Sequence, residues 1–130
     1  MILDIKIRTI NALASLPTSD SNAIDAFAIL QCKPSSDRTF LNYEKIHKNA
    51  NLNDYNLINY YETTDESRHK PVNRFLEDVF YAFNMSHPDD FVGHSLSVSD
   101  IVAIKRNNTV EFYFTDTIGF VHLPEDATIQ

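Results

Sequence analysis

The chain has 130 residues, which suits one domain with its own core and leaves little room for a second. Its formal net charge of -7 disfavours direct binding to the phosphate backbone of DNA or RNA. The single cysteine, Cys32, excludes an internal disulfide and a four-cysteine zinc site, and it suits a cytoplasmic protein. Because no stretch of about 20 apolar residues occurs, we predict no membrane span.

The N-terminal segment supports two interpretations. Leu3, Ile5 and Ile7 alternate as in a strand, whereas Leu3 and Ile7 also lie on one face of a helix. A cluster of polar turn formers follows and separates this segment from the rest of the chain. We therefore predict an N-terminal extension, residues 1–22, and an α+β domain, residues 23–130.

Two strands with a short helix between them are predicted next. Residues 24–33 and residues 55–62 read as strands, and the first has apolar side chains on both faces. Those faces carry Phe27 and Ile29 on one side, and Ala28 and Leu30 on the other. Ser36 or Asp37 can cap a short helix. Its apolar residues are Phe40, Leu41, Tyr43 and Ile46.

The clearest predicted element is an amphipathic helix over residues 72–84. Pro71 suits its first turn, and Pro88 prevents it from continuing. We expect the helix to pack on the sheet, because its apolar positions recur at intervals of three and four residues. These positions are Val72, Phe75, Leu76, Val79, Phe80 and Phe83.

Three strands are predicted to complete the chain. The first has apolar residues of one parity, and the pair Asn107-Asn108 suits a tight turn into the second. A turn at Asp116 and Thr117 leads into the third. Strands and helices without regular alternation favour an α+β fold with a mainly antiparallel sheet. The apolar residues of the first and third strands are Leu96, Val98, Val102, Ile104, Ile118 and Phe120.

Asp100 shares the parity of these apolar residues and would point toward the core of a regular strand. A buried carboxylate needs partners, so either a bulge turns Asp100 outward or hydrogen bonds hold it in a turn. We favour the structural role, with serine hydroxyls and backbone amides as donors. Work as a catalytic acid or base is the alternative.

The string GHSLS, which contains His94, Ser95 and Ser97, is one glycine short of the G-x-S-x-G nucleophile elbow. That elbow requires a sharp turn from a strand into a helix, whereas this serine leads into a predicted strand. We expect Ser95, Ser97 and Ser99 to form the polar edge of that strand. We predict no catalytic residues, and a small enzyme that uses His94, Ser95 and Asp100 is the alternative function.

No metal and no cofactor are predicted. Asp89, Asp90 and His94 offer ligand atoms close in sequence, but their spacing matches no zinc or calcium loop. Cys32 is expected to be a small core residue. The 6 tyrosines lack the flanking lysine and arginine of a nucleic-acid surface, so we favour contacts with a protein partner for those that are exposed.

Two stretches carry a family resemblance, namely FLEDVFYAFNMSHPDDFVGHSLSVSDIVAI and YFTDTIGFVHLPE. Weaker similarity occurs at FAILQCK and TFLNYEKI. From Ala26 to Glu125 the chain resembles the YodL-like family, small bacterial domains found alone and inside large proteins of phages and conjugative elements. The signature residues are Pro88, Phe91, Gly93, His94, Ser95, Ser97, Ser99, Asp100, Asp116, Gly119 and Phe120.

The resemblance implies a cytoplasmic α+β module with no established enzymatic activity, so we expect the signature residues to hold the fold. A free-standing member looks like an accessory protein of a phage or mobile element that binds and blocks a bacterial protein. The sharpest version is an anti-defence inhibitor of a nucleic-acid-binding restriction or CRISPR enzyme, with which an acidic surface is compatible. A regulatory module that acts on envelope or cytoskeletal machinery is a further alternative.

Overall fold

The computed structural model describes residues 23–33, 41–42, 44–45, 55–63, 66–85, 96–107 and 109–123. These residues form five strands and one helix, which makes the fold α+β as the sequence predicts. In chain order the elements are β1 (Ile24–Cys32), β2 (Tyr55–Glu62), α1 (Val72–Met85), β3 (Ile101–Arg106), β4 (Thr109–Thr115) and β5 (Phe120–His122).

The strands form one antiparallel sheet with the order β2-β1-β3-β4-β5. Strand β1 is paired on both sides, and its predicted division into two apolar faces is confirmed. Phe27 and Ile29 belong to the cluster on the α1 side, whereas Ala28 and Leu30 belong to the cluster on the opposite side. Because both faces are buried, polar residues do not alternate with apolar residues along this strand.

Helix α1 covers one face of the sheet, as predicted. The carbonyl of Pro71 accepts the first helical hydrogen bond, from the backbone N–H of Phe75. Edge-to-face contacts join the ring of Phe27 to Phe75 at 5.4 Å and to Phe83 at 6.1 Å between centroids. Each fully buried apolar side chain stabilises the fold by about 1.5–3 kcal/mol. The buried helix residues are Phe75, Leu76, Val79 and Phe83.

The opposite face of the sheet is also buried. Its cluster includes Leu30, Ile101, Phe112 and Phe114, with Leu41 packed against it.

Lys105 lies in β3 and is fully buried, with its Nζ 3.9 Å from Oδ2 of Asp25. A buried ammonium group requires an anionic partner of this kind.

The structure corrects the predicted strand that contains Leu96 and Val98. Strand β3 begins only at Ile101, because Ser99 adopts a φ of 87° and breaks the extended backbone. The hairpin that follows is confirmed, since Arg106 pairs with Thr109 across the turn. Asn107 has a φ of 54°, which a tight hairpin turn requires at its first position.

Two predicted core positions are wrong in the same region of the fold. Ile118 lies in the turn before β5 and is 92% exposed, so it does not join the apolar face. Phe80 is 40% exposed because it lies at the margin of the helix, where its ring contacts Phe120 edge to face at 6.3 Å. Both residues therefore add apolar surface beside β5.

Several predictions fall outside the described residues. These are the N-terminal extension and most of the short helix, of which Asn42 and Lys45 form a turn closed by a hydrogen bond from the Lys45 N–H to Asn42 Oδ1. Within the described ranges, no helix is long and apolar enough to cross a bilayer.

Candidate functional site

The signature residues Ser97, Ser99 and Asp100 form a tight turn immediately before β3. The Asp100 N–H donates to the Ser97 carbonyl at 3.0 Å, and the Ser97 N–H donates to Asp100 Oδ2 at 2.8 Å. The positive φ of Ser99 is that of the third residue of a type II turn, a position that usually holds glycine or asparagine. We call residues 97–100 the signature turn.

The Asp100 side chain points into the protein and has no exposed surface. Nε2 of the buried Gln31 donates to Asp100 Oδ2 at 3.1 Å. The Asp100 carboxylate therefore links the signature turn to β1. A general acid or base must come within hydrogen-bond reach of a substrate. In this position Asp100 faces protein groups and offers no surface to a substrate.

Ser99 connects the signature turn to three strands. Its N–H donates to the Thr115 carbonyl at 2.9 Å, and its carbonyl accepts a hydrogen bond from the Tyr55 hydroxyl at 2.5 Å. The Ser99 hydroxyl lies 3.8 Å from the Cys32 thiol. Ser99 is buried, so the expectation that it lies on the polar edge of a strand is wrong.

A second turn contains the signature residues Asp116 and Gly119 and leads into β5. The Asp116 N–H donates to the Gly119 carbonyl at 3.0 Å, and Asp116 Oδ1 accepts from the Thr117 N–H at 2.8 Å. Gly119 has a φ of 72°, and a Cβ placed on it would meet nothing within 4 Å. The need for glycine there is therefore conformational.

The two signature stretches meet in space. The Thr115 N–H donates to the Asp100 carbonyl at 2.8 Å. The residue immediately before the second turn is therefore bonded to the signature turn. Phe120 is half-buried on the α1 side of the sheet. Five further signature residues lie outside the described residues, namely Pro88, Phe91, Gly93, His94 and Ser95.

A groove lies between α1 and β5. It consists of two adjoining cavities of about 240 and about 310 Å³ that share Glu77, Gly119 and Phe120. We call it the α1–β5 groove. Its walls include Asn73, Glu77 and Phe80 of α1, Thr115 of β4, and Phe120 and His122 of β5.

The groove combines apolar surface with carboxylates. Its described lining contains Glu77 and Asp116 but no lysine or arginine. The Glu77 side chain is 72% exposed, and its contact with Arg74, at 4.0 Å, is too exposed to neutralise it strongly. Thr115 is 2% exposed, and its Oγ1 has no hydrogen-bond partner in the part of the chain that the structure describes.

Tyr113 and His122 line one end of the groove. The rings of Tyr113 and His122 stack with centroids 4.6 Å apart, and the Tyr113 hydroxyl donates to Glu111 Oε1 at 3.0 Å. Arg106 binds the same carboxylate at 2.9 Å. Burial, followed by the charge and hydrogen bond of Glu111, raises the pKa of Tyr113 to about 12, and Arg106 opposes this shift.

Comparison with known protein families matches the YodL-like domain over residues 26–125. The chain belongs to the YodL-like family. The matched residues include the signature turn, α1 and β5, so this YodL-like domain contains every wall of the groove. Comparisons with curated proteins and with solved structures find no match.

The described part of the YodL-like domain contains no group of three or more histidine, cysteine, aspartate or glutamate side chains placed to hold a metal ion. Asp89, Asp90 and His94, the donors considered from the sequence, lie outside it. Cys32 is half-buried and packs against the cluster opposite α1.

Sequence reasoning missed Gln31 and Glu77. Gln31 is a polar residue in an otherwise apolar strand, which is a signal for a buried hydrogen-bond partner. Glu77 had no such signal, since an exposed glutamate on a helix is ordinary. Its relation to β5 depends on how the helix lies across the sheet.

Proposed function

We propose that this YodL-like domain is a non-enzymatic module that binds a bacterial protein and inhibits or modulates it through the α1–β5 groove. The observation that carries the proposal is the apolar surface beside β5, where Phe80 is 40% and Ile118 is 92% exposed. Exposed apolar residues grouped beside a groove and rimmed by polar groups are typical of protein interaction sites.

The charge of the chain suggests the class of partner. A net charge of -7 and the carboxylates of Glu77 and Asp116 favour a basic surface. A cytoplasmic accessory protein of a phage or mobile element would meet such surfaces on nucleic-acid-binding defence enzymes. Inhibition of a restriction or CRISPR nuclease is therefore the sharpest version of the proposal.

The signature turn gives little support to an enzymatic function. Asp100 has no exposed surface and is engaged by Ser97 and Gln31. These contacts suit a carboxylate that fixes a turn, and the groove beside β5 contains neither Asp100 nor Ser97 in its described lining.

Affinity purification from bacterial lysate, followed by mass spectrometry, tests the proposal with two matched variants. Ile118→Asp places a carboxylate beside the groove, whereas Asn56→Asp places one on the exposed surface of β2, at the other edge of the sheet. We expect the wild type and Asn56→Asp to retain the same protein and Ile118→Asp to lose it.

The captured protein must then lose activity when the wild-type chain is added, and a captured nuclease is assayed by DNA cleavage. Equal capture by all three chains, or capture without any change in the partner's activity, would contradict the proposal. For the anti-defence version, cleavage that the wild type leaves unchanged is the decisive negative result.

A further inference from the structure

Strand β5 is at the edge of the sheet and has one side without a described strand. The Leu123 N–H donates to the Phe112 carbonyl, and the Asp116 N–H donates to the Gly119 carbonyl. Because bonded and non-bonded pairs alternate in an antiparallel ladder, Gly119, Val121 and Leu123 face β4 with their backbone groups. The backbone groups of Phe120 and His122 therefore face outward.

Strand β4, which pairs with β5, shows the same alternation. Thr115 pairs with Phe120, and its own N–H and carbonyl bond to Asp100 and Ser99 rather than to β5. Phe120 and His122 thus present the two outward N–H groups and two outward carbonyls of β5. An edge of this kind is a template for another strand.

The α1–β5 groove lies over β4 and β5 on the α1 side of the sheet. A strand added to β5 would place alternate side chains on that same side, next to the groove. Side chains two positions apart in a strand lie on the same face, about 6.7 Å apart. On α1, Phe80 and Glu77 are one helical turn apart and both line the groove. One side chain of the added strand can contact Phe80 and Phe120 while the next on that face reaches Glu77.

The chemistry of the lining determines the residues that such a strand should carry. Phe80 and Phe120 favour an apolar side chain, and Glu77 with Asp116 favours a cation, because no lysine or arginine occurs in the described lining.

We propose that the α1–β5 groove binds an extended segment of the partner protein, which adds to β5 as a further strand. This segment carries an apolar residue and, two positions away, a lysine or arginine. The inference rests on the proposed function, since it specifies how that partner is recognised. Main-chain hydrogen bonds supply affinity in this mode, and the side chains on alternate positions supply specificity.

The test uses the full chain and an array of synthetic peptides of about eight residues, a common strand length. Each peptide contains one apolar residue and one lysine two positions apart, in either order, and a matched peptide has glutamate in place of the lysine. We expect the lysine peptides to bind and the glutamate peptides to bind about tenfold more weakly. Absence of binding across the array would overturn the inference.

Two charge-reversal variants separate the groove from general electrostatics. Glu77→Arg changes the groove, whereas Glu62→Arg makes the same change on an exposed residue of β2, at the far edge of the sheet. We expect Glu77→Arg to weaken binding of the lysine peptides by about tenfold and Glu62→Arg by less than about twofold. Equal effects of the two variants would contradict a site in the groove.

Amide hydrogen exchange, followed residue by residue by NMR, distinguishes strand addition from other binding. Saturating peptide should slow exchange at Phe120 and His122, whose N–H groups face outward, and should leave Val121 and Leu123 largely unchanged. N-methyl groups on alternate peptide residues should weaken binding when those residues face β5 and should leave it largely unchanged when they face away.

The remaining outcomes separate the inference from the proposed function. Binding without protection of Phe120 and His122 overturns strand addition and leaves groove binding intact. Another outcome is protection that rises with protein concentration in the absence of peptide, together with dimers in sedimentation. That result identifies a second copy of the chain as the occupant and also overturns the inference. If Ile118→Asp still captures the lysate partner, the proposed function fails whatever the peptides do.

Discussion

Gln31 Nε2 lies 3.1 Å from Asp100 Oδ2, and the bond joins residues that are 69 positions apart. Both side chains are buried, so neither group can exchange this contact for one with water. A buried carboxylate that loses a donor destabilises the fold, because no hydrogen bond then offsets its desolvation. The contact therefore couples the register of β1 to the start of β3.

The first prediction concerns Asp100. Asp100→Ala should lower the free energy of unfolding by about 2–4 kcal/mol, because it removes the acceptor for Gln31 and for the Ser97 N–H. Asp100→Asn keeps the shape and one acceptor, so it should cost less. Urea unfolding measures both values. A loss below about 0.5 kcal/mol for Asp100→Ala would show that the signature turn does not depend on this carboxylate.

The second prediction concerns the backbone of Ser99, whose φ is 87°. Ser99→Val should destabilise the protein by about 2 kcal/mol or more, because a β-branched residue is strongly disfavoured at positive φ. Ser99→Gly relieves the strain but loses the contact with Cys32, so it should change stability by less than about 1 kcal/mol. Thermal unfolding of the two variants checks the order, and equal stabilities would refute the argument.

Gly119 allows a cleaner separation of strain from crowding, since a Cβ there would meet nothing within 4 Å. Gly119→Ala should lower the free energy of unfolding by about 1 kcal/mol, because a residue with a Cβ is disfavoured in the left-handed backbone region. Asparagine tolerates this region better, so Gly119→Asn should cost less than alanine. If alanine is neutral in urea unfolding, the turn does not require glycine.

The fourth prediction concerns alkaline pH and Tyr113, whose pKa rises from 10.0 to about 12. The folded state holds the phenolic proton more tightly than the unfolded state, so this stabilisation is complete below pH 10 and is lost as the pH rises toward 12. The loss amounts to at most about 3 kcal/mol, because each pKa unit corresponds to about 1.4 kcal/mol.

Tyr113→Phe removes the titrating group and should flatten that part of the stability profile. The quantity to compare is the slope of unfolding free energy against pH for the wild type and the variant, since other tyrosines and lysines titrate in both. Identical slopes above pH 10 would contradict the raised pKa. Phenolate absorbance of the folded protein gives an independent reading.

Regular elements could be predicted from the sequence because their signals are local. The strand over residues 55–62 and the helix that begins at Val72 are observed where the periodicity places them. The predicted strand through Leu96 and Val98 failed because its parity gave no sign of the turn at Ser99. A serine at positive φ is stable only with the tertiary contacts that hold it, here from Tyr55 and Thr115.

The candidate site was less predictable than the fold. The sequence directs attention to serines and to Asp100. Of these, Ser99 and Asp100 are buried, Ser97 is half-buried, and Ser95 lies outside the described residues. Helical periodicity places Phe80 in the core, and the apolar pattern of the last predicted strand places Ile118 there. Their exposure depends on where α1 lies relative to the short strand β5, and no local pattern specifies that distance.

The sequence by itself determined the α+β class, the apolar stripe of α1, the two buried faces of β1 and the family resemblance, because each depends on residue types at short, regular spacings. Only the tertiary structure decided that Gln31 meets Asp100, that Ile118 is exposed and that a groove lies beside the open edge of β5. Those features arise from the packing of segments distant in the chain, where the order of strands and the position of the helix bring groups together without a local signal.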